Sequence, residues 1–223
     1  MTPVKTGRDG APTDTRQRLL DVTCQLVSKH GFAGTTLQMI ADEIGFTKAA
    51  IYYHFRTREQ LLVELMDPIF HQIRSAVEAA ESQRTAPKQK EALLHGYATV
   101  VSRNRTLAAV MVFDPSVHRI LQEQPDWGDL IGRQLALLMQ LEPGTTGIVK
   151  ATAVMTGLAG AASGAPLEVD DESLIEQLCE IGRRVLGLRR PRRSGSTRPA
   201  GAPRAVPQAP PGRWRDFLTE TQS

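Results

Sequence analysis

Residues 35–55 read TTLQMIADEIGFTKAAIYYHF, and the spacing of three of them predicts a helix-turn-helix. Ala41 is small enough for two helices to cross closely, and Gly45 tolerates the positive φ with which the chain leaves the first helix. Ile51 then packs the second helix onto the first. A helix held on its partner in this way is the usual device for entering the DNA major groove, so the stretch indicates DNA binding.

Capping residues indicate where these helices begin. Thr35 or Thr36 is suited to cap the first helix of the pair, and Thr35 with Gln38 has the spacing of a capping box. Thr47 stands where the second helix, the recognition helix, begins, and Thr57 precedes a third, longer helix. An apolar stripe upstream predicts one more helix before the motif.

The same stretch resembles the TetR family of transcriptional regulators. The resemblance rests on residues 35–46 together with IYYHFRTREQL at residues 51–61, where a Tyr-x-His-Phe element, an Ile-Ala pair and a glycine occur in register. It covers residues 13–73. Positions that match the family's first helix and its end are Arg16, Leu19, Leu20, Gly31 and Phe32.

Four positions depart from the family's usual residues. Phe46 replaces a valine, Thr23 an alanine and Val27 a phenylalanine, and these changes are expected to adjust packing. Arg58 replaces a lysine. The charge is kept there, but the guanidinium presents a planar fork rather than a point charge, so the geometry of its expected phosphate contact is open.

The resemblance implies an all-α protein with two domains. A three-helix DNA-binding domain is assigned to residues 13–60, with the helix-turn-helix at residues 36–55, and a helical effector-binding and dimerisation domain to residues 61–188. Residues 1–12 are expected to be a flexible N-terminus, and residues 189–223 a basic, disordered tail rich in Pro, Arg and Gly. The family further implies a homodimeric, ligand-responsive repressor that binds an inverted-repeat operator and releases it when a small effector binds.

The recognition helix supplies most of the predicted DNA contacts. Its first residues are expected to face base edges, where two alanines offer methyl contacts to thymine, so specificity is expected to depend on Lys48, Gln38 and DNA shape. Neighbouring side chains are expected to reach phosphates. The predicted contacts are Thr36, Gln38, Thr47, Lys48, Ala49, Ala50, Tyr52, Tyr53, His54 and Arg58.

Residues 61–188 follow a helical pattern throughout. Helices are predicted over residues 57–81, 88–102, 105–113 and 126–139. Asp114-Pro115 and Glu142-Pro143-Gly144 are expected to break the pattern, because proline and glycine interrupt helices.

Two further helices carry heptad-like apolar seams, which favour a helical bundle. The seam residues are Ile148, Met155, Leu158, Leu174, Leu178, Ile181 and Val185. Gly157, Gly160 and Gly164 are expected to let a partner helix approach closely. In the TetR family the last two long helices of each subunit form a four-helix dimer bundle, and the resemblance implies the same here. The alternative is that these stripes serve only the core of one subunit.

Apolar and aromatic residues of the body are candidates for the lining of an effector pocket. They are Phe70, Tyr97, Val101, Met111, Phe113, Trp127, Leu130 and Met155, with His118 or Tyr97 as a polar handle. This composition favours an apolar or amphipathic effector, whose identity the sequence does not give. The alternative is that most of these residues belong to an ordinary core.

The net charge of +3 is unevenly distributed along the chain. Residues 1–60 carry +2, residues 61–188 carry −5 and residues 189–223 carry +6. Because DNA repels an acidic body, DNA contact is assigned to the N-terminal domain. The tail either adds sequence-independent affinity for phosphates or only offsets the acidic body. Within it, residues 213–218 form either a short docking segment or part of a floppy end.

Several other classes of protein are not favoured. Cys24 and Cys179 each stand at an apolar position of a helical pattern, which predicts buried side chains rather than a metal site or redox pair. With no secretory leader recognised, two distant cysteines indicate a reducing cytoplasm. The uncharged stretch at residues 151–167 is too short to span a bilayer, so no membrane partner is expected.

Neither a metal site nor an enzyme active site is predicted. His71, His95, His118 and Asp114 are able to converge in the body, but no pair of these histidines has zinc-site spacing. No nucleophile elbow, phosphate-binding glycine loop or paired-carboxylate signature is recognised, and no cofactor is implied. The remaining alternative function is a helical adaptor or ligand-sequestering protein without specific DNA binding.

Overall fold

The computed structural model describes residues 12–189, apart from the side chains of residues 12–14 and 48. The basic tail from residue 190 and the N-terminal residues 1–11 lie outside the described residues. All regular secondary structure that is described is helical, as the sequence predicts. The helices are α1 (Pro12–Gly34), α2 (Leu37–Ile44), α3 (Lys48–His54), α4 (Arg58–Glu81), α5 (Ala86–Arg103), α6 (Arg105–Phe113), α7 (Pro115–Gln122), α8 (Pro125–Met139), α9 (Thr145–Gly164) and α10 (Asp171–Leu186).

A small apolar core joins α1, α2, α3 and the first turn of α4. Its buried side chains are Leu19, Leu37, Ile40, Ala41, Ile51, Phe55 and Leu61. Ala41 and Ile51 are fully buried, so the close crossing of α2 and α3 that the sequence predicts is present. Because close-packed side chains resist rearrangement, this core holds α3 at one angle on α2.

The turn between α2 and α3 also has the predicted geometry. Gly45 closes α2 with a φ of 78°, which L side chains rarely adopt. The N–H of Phe46 donates to the carbonyl of Ala41 at 2.9 Å. Thr47 then caps α3, because its Oγ1 accepts a hydrogen bond from the N–H of Ala50 at 3.2 Å.

The start of α2 differs from the expectation. Thr36 is the cap, and its Oγ1 accepts from the N–H of Met39 at 3.2 Å. Thr35 is buried, and its hydroxyl donates back to the carbonyl of Gly31 at 2.8 Å. The predicted capping box of Thr35 and Gln38 is therefore wrong, since the Thr35 hydroxyl is turned towards α1 rather than towards α2.

Helices α4 to α10 enclose the main apolar core, and α4 connects it to the small one. Leu61 at the start of α4 packs in the small core, whereas Leu62 and Met66 pack in the main core. Val27 and Phe32 of α1 also reach the main core. Apolar packing is thus continuous across residue 60, where the sequence pattern places a domain boundary. Within residues 12–189 no helix has the length and apolarity needed to cross a membrane.

Helix α7 is the main element that the sequence pattern missed. Asp114-Pro115 ends α6 at Phe113 as predicted, but it also begins α7, because Asp114 caps α7 and Pro115 occupies its first turn. Helices α5 and α8 likewise begin earlier than predicted, at Ala86 and Pro125, with a proline in the first turn. Proline is tolerated there because the first N–H groups of a helix have no intrahelical partner.

Candidate nucleic-acid interface and effector cavities

The solvent-facing side of α2 and α3 carries most of the residues predicted to contact DNA. Tyr53 is 87% exposed, and its ring meets His54 edge-to-face with centroids 5.3 Å apart. The other exposed members are Thr36, Gln38, Thr47, Ala49 and Tyr52, whereas Ala50 and His54 are half-buried. Large exposed aromatic side chains beside polar groups are typical of a surface that contacts another molecule.

Arg58 has a different environment from the one predicted. Its guanidinium lies 4.7 Å from the centre of the Phe32 ring. Its Nη1 donates towards the carbonyls of Phe32, Ala33 and Thr35 at 3.3, 3.1 and 3.3 Å. A cation at the C-terminal end of a helix stabilises carbonyls that have no other donor. The Arg58 guanidinium therefore stabilises the turn between α1 and α2. This position does not support the predicted phosphate contact.

We expect Arg58→Ala to lower the free energy of unfolding by about 1–3 kcal/mol, because three carbonyls lose a charged donor. Urea unfolding measures this loss. Arg56→Ala, at an exposed position nearby, is the control and should change stability by less than about 0.5 kcal/mol. An Arg58→Ala protein of unchanged stability, with weaker DNA binding and a flatter salt dependence, would support a phosphate contact instead.

Asp114 links the turn after α1 to the start of α7. Its Oδ2 accepts from the backbone N–H of Phe32 at 3.1 Å, and its Oδ1 accepts from the N–H of Ser116 at 2.9 Å and of Val117 at 3.4 Å. Burial raises the pKa of Asp114, but hydrogen bonds from Ser116, Phe32 and Val117 outweigh burial, so the pKa lies below its usual value. The Asp114 carboxylate therefore caps α7 and also binds the backbone of the turn after α1.

Asp114→Ala is expected to lower the free energy of unfolding by roughly 1–2 kcal/mol, the usual effect of losing a helix cap. Since the pKa of Asp114 is lowered by folding, its contribution is present above the pKa of the unfolded carboxyl and is lost as the pH falls through the folded value. Thermal unfolding between about pH 3 and pH 7 measures both effects. Asp129→Asn, at an exposed carboxylate 3.8 Å from Arg133, is the control, and a constant difference between Asp114→Ala and wild type across this pH range would contradict the assignment.

One cavity among the described residues lies between α4 and α8. It has a volume of about 140 Å³ and is lined by three of the predicted residues, Phe70, Trp127 and Leu130. The rings of Phe70 and Trp127 pack with centroids 5.0 Å apart. Arg74 also lines this cavity and donates to Asp126 at 3.1 Å. The cavity therefore combines an aromatic wall with a charged edge.

Two smaller cavities, each of about 10 Å³, flank Tyr97. Met155 lines one of them, and Val101 and Met111 line the other. Tyr97 itself is buried, and its hydroxyl donates to the carbonyl of Met155 at 3.0 Å. The structure thus distributes the predicted effector-lining residues over three separate cavities.

Phe113 and His118 do not line any of these three cavities. Phe113 is 67% exposed and packs beside Gly160, where an added Cβ would lie 3.1 Å from the ring. His118 is exposed, and its ring nitrogen Nε2 lies 2.8 Å from the side-chain amide of Gln122. Their prediction as lining residues is therefore wrong for these cavities, because α6 and α7 turn both side chains outwards.

The histidines of the body do not form a metal site. In the part of the chain that the structure describes, no three His, Cys, Asp or Glu side chains come close enough to hold a metal ion. His71 lies 3.4 Å from Asp67 on its own helix, and Asp114 is occupied by backbone donors. His71, His95, His118 and Asp114 therefore do not converge.

Comparison with known proteins places the N-terminal domain in a family. The family model for bacterial regulatory proteins of the tetR family matches residues 19–65. This part of the chain is a tetR-family domain. Among relatives of the chain, the transcriptional regulator YerO of Bacillus subtilis is 42% identical over 50 residues, which are 22% of this chain and 17% of YerO. The repressor KstR2 of Mycolicibacterium smegmatis is 24% identical over 137 residues, 56% of this chain and 67% of KstR2.

Solved structures share the TetR fold over a longer stretch. The ketosteroid transcriptional regulator KstR2 of Mycobacterium tuberculosis superposes with a TM-score of 0.60 at 16% identity, and the match covers 83% of this chain and 97% of that one. This likeness shows the fold alone. The sequence match with YerO spans less than a fifth of the length of YerO, since only 17% of it is covered.

The residues that were predicted to form a dimer interface lie in two different environments. Leu158, Leu174 and Leu178 are buried and belong to the main core. Their burial within a single chain supports the alternative, that this part of the stripe serves the core of one subunit. Met155 is half-buried, and its carbonyl accepts the Tyr97 hydroxyl.

Ile148, Ile181 and Val185 remain exposed on α9 and α10. Val149 of α9 is also exposed, and a Cβ added at Gly157 would meet no atom within 4 Å. We call these five residues the outer face. It combines branched apolar side chains with a glycine at which another helix is able to approach closely.

Two features of the body, the buried Gln134 and the contact between Asp114 and Phe32, were not predicted from the sequence. Gln134 lies four residues after Leu130 and four before Leu138 on α8, and a polar residue within this apolar stripe was a visible signal. The link between Asp114 and Phe32 joins residues 82 positions apart. No local pattern could have indicated that link, because helical periodicity reports only neighbours along the same helix.

Proposed function

We propose that this chain is a DNA-binding transcriptional repressor that responds to a small ligand in the cytoplasm. The observation that carries the proposal is the exposed side of α3, which presents Tyr52 and Tyr53 while Ala41 and Ile51 hold the helix on α2. A helix presented in this way is suited to the DNA major groove. Membership of a family of bacterial regulatory proteins supports regulation, and a repressor among the relatives supports repression.

The proposed DNA contacts follow the exposed side of the helix-turn-helix. Base contacts are assigned to Gln38, Lys48, Ala49 and Ala50, with Tyr52 near both base and backbone, and phosphate contacts to Thr36, Thr47, Tyr53 and His54. Arg58 is left out because its guanidinium holds the turn between α1 and α2. Few hydrogen-bonding side chains face the bases in this assignment, so DNA shape contributes to specificity.

Two copies of the chain are proposed to associate through the outer face and to read the two halves of an inverted repeat. Exposed branched side chains such as Ile148, Ile181 and Val185 gain free energy when a second copy removes them from water. The interface therefore uses the exposed part of the predicted seam, and the buried leucines support it from within.

The effector is proposed to bind in the body among the cavities that α4, α5, α8 and α9 line. Phe70, Tyr97, Trp127 and Met155 provide apolar walls there, which supports an apolar or amphipathic molecule. Release of DNA requires that the effector bind the conformation that does not bind DNA more tightly than the one that does.

Gel retardation with the intergenic DNA beside the gene tests this function. We expect a discrete complex that resists unrelated competitor DNA. Lys48→Ala should weaken specific binding by about 1–3 kcal/mol and relax one position of the operator. Lys88→Ala, at an exposed position in the body, is the matched control. A protein that binds no DNA specifically, yet binds small molecules, would be the ligand-sequestering alternative.

A further inference from the structure

Gln134 is a buried polar side chain whose acceptor is unused. It is 1% exposed on α8, and its Nε2 donates to the carbonyl of Leu130 at 3.2 Å. Its Oε1 is buried and has no hydrogen-bond partner among the described residues. An unpaired acceptor in an apolar core is destabilising, so native proteins normally supply it with a donor.

Rotating the amide does not remove this problem. The carbonyl of Leu130 accepts hydrogen bonds and cannot donate them. The amide nitrogen of Gln134 must therefore face Leu130, and Oε1 must point away from it. Gln134 Oε1 is therefore left without a partner because the Leu130 carbonyl is able only to accept.

Gln134 lines the smaller cavity that contains Met155. The other lining residues are Leu93, Leu94, Tyr97, Leu138, Val154 and Met155. Of these, Tyr97 has a hydroxyl proton, but that proton is donated to the carbonyl of Met155 at 3.0 Å. Burial raises the pKa of Tyr97 well above its usual value, so the hydroxyl stays protonated and occupied. Among its lining residues, this cavity therefore offers an unpaired acceptor, apolar walls and a hydroxyl that is already engaged.

Tyr97 also separates this cavity from a second apolar one. That cavity is lined by Ile69, Ile73, Tyr97, Val100, Val101, Asn104, Ala108, Met111 and Ala159. At about 10 Å³ each, the two spaces are large enough for little more than one water molecule. A larger molecule would have to move Tyr97 and Met155, and methionine adapts readily because its side chain is unbranched.

We propose that Gln134 is the polar anchor of the effector site and that its Oε1 accepts a hydrogen bond from an uncharged, mainly apolar effector bearing one hydroxyl or N–H donor. This inference rests on the proposed ligand-responsive function and names the class of ligand. A carboxylate lacks the donor that Oε1 needs, and a charge would be costly among these leucines. Binding of the effector would move the Tyr97 hydroxyl away from the carbonyl of Met155. Because Met155 lies on α9, which bears part of the outer face, the effect of binding would reach that helix.

Matched probes that differ in one donor test the inference. Indole and indene have nearly the same shape, but only indole has an N–H; 1-octanol and 1-chlorooctane form a second pair. Calorimetric titration of the full chain measures the ratio of affinities within each pair. We expect the preference for the donor probe to be about tenfold greater in wild type than in Gln134→Leu for at least one pair, because only the wild type has the acceptor.

Two further variants complete the test. Gln134→Met, which keeps the length of the side chain without the amide, should lose the preference as Gln134→Leu does. Gln140→Leu makes the same substitution at an exposed glutamine. This variant should keep the preference for the donor probe. Circular dichroism establishes that each variant is folded.

An unchanged ratio in both Gln134 variants would overturn the inference. Absence of saturable binding of any probe to wild type would also overturn it and would leave Gln134 with a bound water only. Gel retardation without probes is measured in parallel. If the wild-type protein binds the operator but shows no donor preference, this inference alone is overturned. If it shows the donor preference but does not bind the operator, the proposed repressor function alone is overturned.

Discussion

Ile181→Glu is expected to dissociate the proposed dimer while each subunit stays folded. Ile181 is 50% exposed on the outer face, so the new carboxylate remains hydrated in a single subunit. In a dimer formed through this face the carboxylate would be buried without a partner. We expect the Kd of dimerisation to rise roughly a thousandfold, or about 4 kcal/mol, with loss of binding to an inverted repeat. Analytical ultracentrifugation and gel retardation measure the two effects.

The control for this variant is Ala79→Glu, which adds the same carboxylate at an exposed position on α4. It should remain a dimer and bind DNA as wild type does. Circular dichroism of Ile181→Glu should match that of wild type. A folded Ile181→Glu protein that is still dimeric would show that the interface lies elsewhere.

Leu178→Ala is expected to have the largest effect on the stability of the single subunit. Leu178 is 1% exposed and packs in the main core only three residues before Ile181. Truncation of a buried leucine lowers the free energy of unfolding by roughly 2–5 kcal/mol, because apolar contacts are lost and a cavity remains. Urea unfolding measures this loss, which should be similar at all protein concentrations.

Ile181→Ala is the matched comparison for Leu178→Ala. It removes an apolar side chain of similar size from the outer face, so its effect should grow with the share of protein that is dimeric and should depend on concentration. The same concentration dependence for both variants would place Leu178 at the interface, as the heptad pattern predicts.

We expect the proposed regulation to reach the helix-turn-helix through the turn after α1. Arg58 of α4 binds the carbonyl of Phe32, and Asp114, between α6 and α7, accepts from the N–H of the same residue. We therefore expect a shift of α6 and α7 to act on the segment that leads into α2. We expect this contact to matter more for effector response than for DNA affinity, because neither side chain lies on the exposed side of α3.

Local chemistry explains why the helix-turn-helix could be predicted closely. Gly45 is needed for the positive φ at the end of α2, and Thr47 for the cap of α3. Ala41 and Ile51 are required within a few residues of each other. Each of these needs concerns neighbours along the chain, so each leaves a trace in the spacing of residue types.

The body could be predicted only in outline. Helical periodicity located most of its helices, but it placed the starts of α5 and α8 after their first-turn prolines and missed α7. Met155 and Tyr97 line cavities of the structure, whereas Phe113 and His118 line none of the three described above, and the sequence pattern did not distinguish these two pairs. Periodicity states that a residue is apolar and on one side of a helix, but it does not state what lies opposite.

The sequence by itself determined the all-α fold, the family of the N-terminal domain and the position of α3, because these depend on contacts between residues close in the chain. The tertiary structure alone decided which side of α10 faces the core, so that Leu178 is buried and Ile181 is exposed. It also decided that Arg58 holds a turn and that Gln134 keeps a free acceptor among leucines. Those outcomes depend on side chains brought together from distant helices, and an apolar stripe has the same period whether it packs on its own subunit or on another.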